Sequence, residues 1–374
     1  MKILCVTTIS STVNAFLIPH IRSLLASGNE VGVACNLIKD VDPEIRRLGC
    51  SVHEIEFQRS PIKMENIRAY KRIKKIVLEE GYEIIHVHTP VASFLTRLAC
   101  RRLNVKVLYT AHGFHFFQGA PRKNWFIYYP IEKIAAKWTD SLITMNDEDY
   151  LSARNLKLRK EESIFKVSGV GIDLEKFIPQ TTERKQALRE EYQYKKDDFI
   201  IIYIGELSYR KHQDHLIKAI SLVKGKIENV RLLLVGDGGF EEQYKRLVQT
   251  LNIEGYVDFL GYRKDIHHLL ALADLAVSTS RQEGLPVNIM EAMATGLPII
   301  VTNCRGNRDL IVDEENGFIV GIDDIEACAN AIETLYQSDE LRTRFAKKSK
   351  ERIHLFSEEA VLKEMREIYA SYLR

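Results

Sequence analysis

Phe199-Ile200-Ile201-Ile202-Tyr203-Ile204, closed by Gly205, decides how this chain is read. It is apolar at every position rather than at alternate ones, as expected of a parallel strand covered on both faces. It is also a restart. The polar stretch Pro179-Gln-Thr-Thr-Glu-Arg-Lys185 precedes it and interrupts an earlier series of similar runs. A linker is therefore expected there, with one domain over residues 1–178 and a second over 179–356.

Upstream, expected strands cover Lys2–Thr7, Glu30–Cys35, Ser51–Ile55, Ile84–His88, Val105–Thr110 and Ser141–Met145. Downstream they cover Arg231–Val235, Val257–Leu260, Leu275–Ser278, Ile299–Thr302 and Phe318–Val320. Helical patterns fill the gaps, such as Ala15, Ile18, Ile21, Leu24 and Leu25 before Gly28. Strand and helix alternating in this way make an α/β chain of two doubly wound, Rossmann-like parallel sheets. The last segment, 357–374, carries Val361, Leu362, Met365, Ile368 and Tyr369 at helical spacing. That stripe needs a surface, and the first domain is expected to supply it.

A chain of 374 residues suits two domains, and 45% hydrophobic with 28% charged residues is ordinary globular composition. The net charge of +2 gives no general attraction to nucleic acid. Six scattered cysteines (Cys5, Cys35, Cys50, Cys100, Cys304 and Cys328) form no zinc ligand pattern and read as reduced, buried thiols. Thr7 and Thr8 arrive too early for a signal peptide, and no apolar run is long enough to span a membrane. A cytoplasmic protein is expected, with at most peripheral contact at the inner face of the plasma membrane.

Ligands of open parallel sheets sit beyond the carboxyl ends of the strands. There the Phe199 strand delivers Gly205-Glu206-Leu207-Ser208-Tyr209-Arg210-Lys211, whose adjacent cations suit a pyrophosphate; a solvated loop is the competing reading. The Leu275–Ser278 strand delivers Glu283-Gly284-Leu285-Pro286 and a helix carrying Glu291. Free N–H groups at that helix start favour an anion. The two carboxylates suit sugar and ribose hydroxyls, or else are a helix-dipole partner and an exposed helix residue.

Glu283-Gly-Leu-Pro286 followed by Glu291 resembles the Glu-x7-Glu signature of the large retaining GT-B glycosyltransferase family. His86-Val-His-Thr-Pro90, Thr110-Ala-His-Gly-Phe114, Gly169-Val-Gly-Ile-Asp173 and Arg305-Gly-Asn-Arg308 extend the likeness along nearly the whole chain, toward bacterial capsule, exopolysaccharide and lipid-linked oligosaccharide enzymes. The resemblance implies two Rossmann-like domains facing across a cleft. It implies a nucleotide-sugar donor, by preference a UDP-hexose or UDP-N-acetylhexosamine, and a saccharide or polyprenyl-diphosphate-linked saccharide acceptor, with neither cofactor nor metal. Arg210 and Lys211 would meet the diphosphate, with Gly205 in the same loop. Glu283 would meet the donor sugar, Gly284 and Leu285 would offer amides, and Glu291 would meet the ribose. His112 would be the active-site histidine between donor sugar and acceptor.

Two departures stand out: Glu206 replaces an arginine of many relatives, and the first loop, 8–14, lacks their glycine pair. Asp147-Glu148-Asp149 has the letter pattern of a metal-binding motif but reads as acids at a helix start. The aromatic stretch Phe114–Tyr129 with Arg122 and Lys123, to which Lys63, Arg68, Lys71, Arg72, Lys74 and Lys75 could add a basic face, suits a membrane interface or a lipid diphosphate; core rings and solvated charge are the competing reading. Two other activities keep the same fold. A nucleotide-sugar epimerase would need no acceptor, and a silent nucleotide-binding subunit would bind donor without turnover.

Overall fold

The computed structural model describes residues 1–58, 60, 63–160 and 163–372. The chain divides into two compact units, Met1–Gly171 with Glu358–Arg374, and Ile172–Ser357. Each is a Rossmann-like α/β body, the architecture of GT-B proteins.

The first unit holds β1 (Lys2–Ile9), β2 (Glu30–Asn36), β3 (Ser51–Glu54), β4 (Ile84–Val87), β5 (Lys106–Ala111), β6 (Ser141–Thr144) and β7 (Ile164–Lys166). All pair in parallel in the order β3-β2-β1-β4-β5-β6-β7. The edge strand β7 escapes sequence reading because it is three residues long with no fully buried side chain. The expected loop at 8–14 is not a loop. β1 runs to Ile9 and helical structure starts at Ser10, whose hydroxyl donates to the Lys39 carbonyl at 2.5 Å.

The second unit holds β8 (Phe199–Ile204), β9 (Val230–Val235), β10 (Val257–Gly261), β11 (Leu275–Ser278), β12 (Ile299–Thr302) and β13 (Phe318–Val320). They pair in parallel in the order β10-β9-β8-β11-β12-β13. Ile200, Ile201, Ile202 and Tyr203 are all buried, which explains why that run has no polar alternation.

The polar stretch at 179–185 is no free linker, and the unit boundary falls earlier, at Gly171. Ile172 donates its N–H to the Phe356 carbonyl at 2.9 Å, fixing both ends of the second unit together. The Gln180 side chain donates to the carbonyls of Ala271 and Ala273, and Thr181 caps the helix Thr182–Glu191. Lys185 and Arg189 of that helix pair with Asp274, at the foot of β11. Polar composition here serves capping and ion pairing rather than solvation alone.

The C-terminal helix, Glu358–Ala370, belongs to the first unit. Val361 and Met365 are buried, Glu364 accepts from the Ser168 N–H and hydroxyl, and the Tyr369 hydroxyl bonds Nδ1 of His86 at 2.5 Å. Residues 373 and 374 of the expected segment lie outside the described residues. Among the described residues, no helix is long and apolar enough to cross a membrane.

Candidate functional site

Both sheets reverse their strand order at one place, between β1 and β4 in the first unit and between β8 and β11 in the second. Such switch points open a crevice at the carboxyl ends of the strands. In the second unit that crevice is charged.

Gly205 follows β8 with φ +159°, and the chain turns through Leu207 to Arg210 and Lys211. From the other side, β11 delivers Ser280 and Glu283. The Lys211 ammonium donates to Glu283 Oε1 at 2.6 Å, the Ser280 hydroxyl donates to the same oxygen at 2.6 Å, and the Arg210 guanidinium donates to Oε2 at 3.2 Å. The Tyr203 hydroxyl, last inward group of β8, donates to the Lys211 carbonyl at 2.7 Å and lies 3.0 Å from Ser280 Oγ. Arg305 Nε donates to the Glu283 backbone carbonyl at 2.9 Å.

Glu283 is buried, which alone would raise its carboxyl. The Lys211 and Arg210 charges, with the Lys211 and Ser280 hydrogen bonds, outweigh burial and hold it below its ordinary value. It is therefore a carboxylate at neutral pH. Lys211 is nearly buried while the Arg210 side chain is 41% exposed, so Arg210 is the cation with room to reach an incoming anion.

Close backbone packing sets the crevice. A Cβ on Gly306 would meet the Gly284 carbonyl oxygen at 2.4 Å, and one on Gly236 would meet the Gly205 carbonyl oxygen at 2.2 Å. Both glycines also have positive φ, so no other residue fits either position without shifting a loop. Gly284 and buried Leu285 then lead into the helix Val287–Thr295, whose N-terminus has no side-chain cap. Asn288 ties its first turn to β8 by donating to the Ile204 carbonyl at 2.7 Å.

Glu291 sits further along this helix, half-buried. Burial pushes its carboxyl up to about 7, opposed by the Lys176 charge. Glu283 and Glu291 are thus electrically unlike. Glu283 is an ion held by two cations, whereas Glu291 is a carboxyl poised between its two states at neutral pH.

His112 lies in the first unit, just past β5. Its Nε2 is 3.3 Å from His88 Nδ1, and the His88 ring lies 4.1 Å from that of His86. His86 bonds Tyr369 through Nδ1 and Thr110 through Nε2 at 2.7 Å. Burial, reinforced by neighbouring imidazoles, pushes His86 down to about 3 and His112 down to about 4, and holds His88 well below its usual value. All three are neutral at pH 7. His88 Nε2 is buried without a hydrogen-bond partner among the described residues. It borders a cavity of about 20 Å³ lined also by His20 and His112, enough for one water.

The structure therefore brings Gly205, Arg210, Lys211, Glu283, Gly284 and Leu285 together, sets Glu291 along the adjoining helix, and places His112 in the other unit. Sequence reading did not find Tyr203, Ser280 or the role of Arg305. Tyr203 is hidden in an apolar run, Ser280 is a small residue beside larger signals, and Arg305 acts through backbone packing. Asp147-Glu148-Asp149 opens the helix Asp147–Ala153, capped by the Asn146 side chain, with Asp147 paired to Lys166 and Asp149 accepting from the Phe114 N–H. Among the described residues no group of three or more acids, histidines or cysteines has metal-holding geometry. The six cysteines are free and buried.

Comparison with known proteins places the chain in a family. Residues 184–352 match the family model for glycosyl transferases group 1, and residues 2–146 match that for glycosyl transferase 4-like. The chain is 40% identical, over its whole length and 97% of the relative's, to the putative glycosyltransferase EpsD of Bacillus subtilis. It is 33% identical, over 71% of this chain and 68% of the relative, to the UDP-Gal:alpha-D-GlcNAc-diphosphoundecaprenol alpha-1,3-galactosyltransferase of Escherichia coli. In fold it resembles Anabaena HepE, solved in complex with UDP and glucose, at 20% identity with a TM-score of 0.83 over 99% of this chain and all of that one. With a full-length relative at that identity, and two unit-sized family matches on a GT-B fold, the chain belongs to the group 1 glycosyltransferases.

Proposed function

We propose that this glycosyltransferase moves a hexosyl or N-acetylhexosaminyl group from a UDP-sugar to a saccharide carried on a polyprenyl diphosphate, with retention of anomeric configuration, in surface polysaccharide assembly. The observation that carries the reading is the Glu283 carboxylate held by Lys211, Arg210 and Ser280 at the switch point of the second sheet. A diphosphate draws on the same two cations, and Glu283 keeps them placed before it arrives.

In this reading the acceptor hydroxyl oxygen attacks the anomeric carbon from the face that the diphosphate leaves. The carbon–oxygen bond to the β-phosphate breaks, the electron pair goes to the phosphate, and the hydroxyl proton follows it. Lys211, Arg210 and the uncapped N–H groups of the Val287–Thr295 helix meet the charge that grows there. Cations of the chain supply this stabilisation, and no metal is required. Glu283 retains lone pairs for a donor-sugar hydroxyl beyond the bonds it already accepts. Glu291, as carboxylate, accepts from the ribose diol. His112, neutral, offers a hydrogen bond rather than a charge near the donor sugar and acceptor.

Contact with the inner membrane face is part of the proposal, and the helix Arg122–Ala136 supports it. Its solvent side presents Arg122, Lys123, Phe126, Ile127, Lys133 and Ile134, with Phe126 80% exposed. Its single acid, Glu132, is buried against Arg97. Exposed apolar residues among cations, with no acid on that face, suit an anionic lipid surface. The rings Phe114, Phe116 and Phe117, by contrast, are core.

The test is product analysis. UDP-sugars are screened with undecaprenyl-diphosphate saccharides, the product is weighed, and its new linkage is assigned by NMR. An α-linked product from an α-configured donor, formed in EDTA, is expected. An inverted linkage, activity dependent on added metal, or an epimerised sugar formed without acceptor would each overturn its part of the reading.

A further inference from the structure

A second crevice opens at the switch point of the first sheet, and it differs in character from the histidine cluster nearby. It is a cavity of about 470 Å³ between the helices Pro90–Cys100 and Arg122–Ala136, within the usual ligand-pocket range of about 300–1,000 Å³. Thr8, Thr12 and Thr89, at the carboxyl ends of β1 and β4, give it a polar portion. Thr89 Oγ1 accepts the Thr8 N–H at 2.7 Å and lies 2.6 Å from the Thr8 hydroxyl. The remainder is walled chiefly by Val91, Phe94, Leu95, Ile127, Tyr128 and Ile131.

We propose that this cavity receives the first isoprene units of a polyprenyl diphosphate. Three observations carry the assignment. The wall is apolar aliphatic and aromatic. Of its ionisable lining residues, Glu132 is paired by two hydrogen bonds from Arg97 at 2.9 and 3.0 Å, and the His115 ring stacks on Tyr128 at 4.5 Å. Ile127 both lines the cavity and stands 52% exposed on the cationic, apolar face of the Arg122–Ala136 helix. The mouth therefore opens on the face suited to an anionic membrane, and a chain leaving the bilayer enters without crossing water.

This assignment rests on the lipid-linked acceptor reading, and binding tests it without catalysis. Trp138 lies 6.1 Å from the Phe94 ring and reports on the wall. Farnesyl diphosphate is titrated into the full-length protein against inorganic pyrophosphate as the chain-free control, with tryptophan emission as readout. Saturable binding of farnesyl diphosphate is expected, with pyrophosphate at least about ten-fold weaker. Filling the wall with Leu95→Phe and Ile131→Phe is expected to weaken farnesyl diphosphate about ten-fold or more while Ile131→Leu binds like wild type. Because the filled protein risks misfolding, Ile127→Asn at the exposed mouth is measured beside it, and several-fold weaker binding is expected.

Equal binding of the two probes overturns the proposal, as does wild-type farnesyl diphosphate affinity in Ile127→Asn or in a filled variant with an unchanged melting temperature. Prenyl binding without transfer to any lipid-linked saccharide would leave the cavity assignment standing and remove the acceptor reading. Transfer to a lipid-linked saccharide that is indifferent to the filled cavity would do the reverse.

Discussion

The two switch points of this molecule have the same topology and different electrostatics. In the second unit, Lys211, Arg210 and Glu283 form a preassembled charged cluster with each ion satisfied. In the first unit, His86, His88 and His112 are held neutral by burial, and a separate cavity there is chiefly apolar. The difference shows that a shared fold determines where ligands sit, while residues just past the strands determine what kind of ligand is served. One crevice suits a diphosphate with its charge, the other a hydroxyl-bearing, chain-bearing acceptor.

The largest effect expected from breaking this asymmetry is at Lys211. Lys211→Ala removes the cation proposed to face the departing phosphate and leaves Glu283 with one fewer partner in a buried place. Turnover in steady-state assays should fall by about a hundred-fold or more, with a smaller change in donor affinity. A loss confined to KM, with kcat intact, would mean the charge is spent on ground-state binding alone.

Next comes Glu283. Reading Glu283 only as a sugar contact predicts little effect on free UDP, but its carboxylate also positions both cations. Glu283→Gln should therefore weaken UDP as well as UDP-sugar, by about 1.5 to 3 kcal/mol in calorimetry. Unchanged UDP affinity in the folded variant would separate Glu283 from the diphosphate site.

A smaller effect is expected from Glu291, through pH. Its carboxyl is raised to about 7, so the folded state binds this proton more tightly than the unfolded chain does. Its contribution to stability is fully present below the ordinary glutamate range and is lost as pH rises through about 7. The proposed ribose contact has the opposite preference, since it would use the carboxylate. UDP affinity should thus rise with pH across neutrality in wild type, and Glu291→Gln should flatten both trends. An identical pH slope in the variant would assign the titration to another group.

The smallest expected effect concerns His112. With its imidazole held down to about 4, turnover between pH 6 and 9 should carry no inflection from it. An inflection near 6.5 that vanishes in His112→Gln would show that the ring titrates normally in the working enzyme.

Much of this was legible in the sequence for one physical reason. Strands buried on both faces are written as unbroken apolar runs, so β8, β11 and β12 declare themselves. The residues after them are then located by topology. Less legible was whatever depends on partners far along the chain. Polar residues 179–185 look like a linker until Asp274 and the Ala271 and Ala273 carbonyls come within reach of their side chains. Tyr203 looks like one more core residue until its hydroxyl meets Lys211 and Ser280. The aromatic run 114–129 is one block in sequence, but Phe114, Phe116 and Phe117, in the segment before the helix Arg122–Ala136, turn into the core, whereas Phe126 and Ile127 on that helix face solvent.

The central claim is that the nucleotide is served by the charged switch point and not by the neutral one. Hydrogen–deuterium exchange of the full-length protein with and without UDP tests it directly. UDP is expected to slow exchange in residues 203–211 and 283–295. Protection of residues 8–14, 86–90 and 110–115, with none in the second unit, would contradict it.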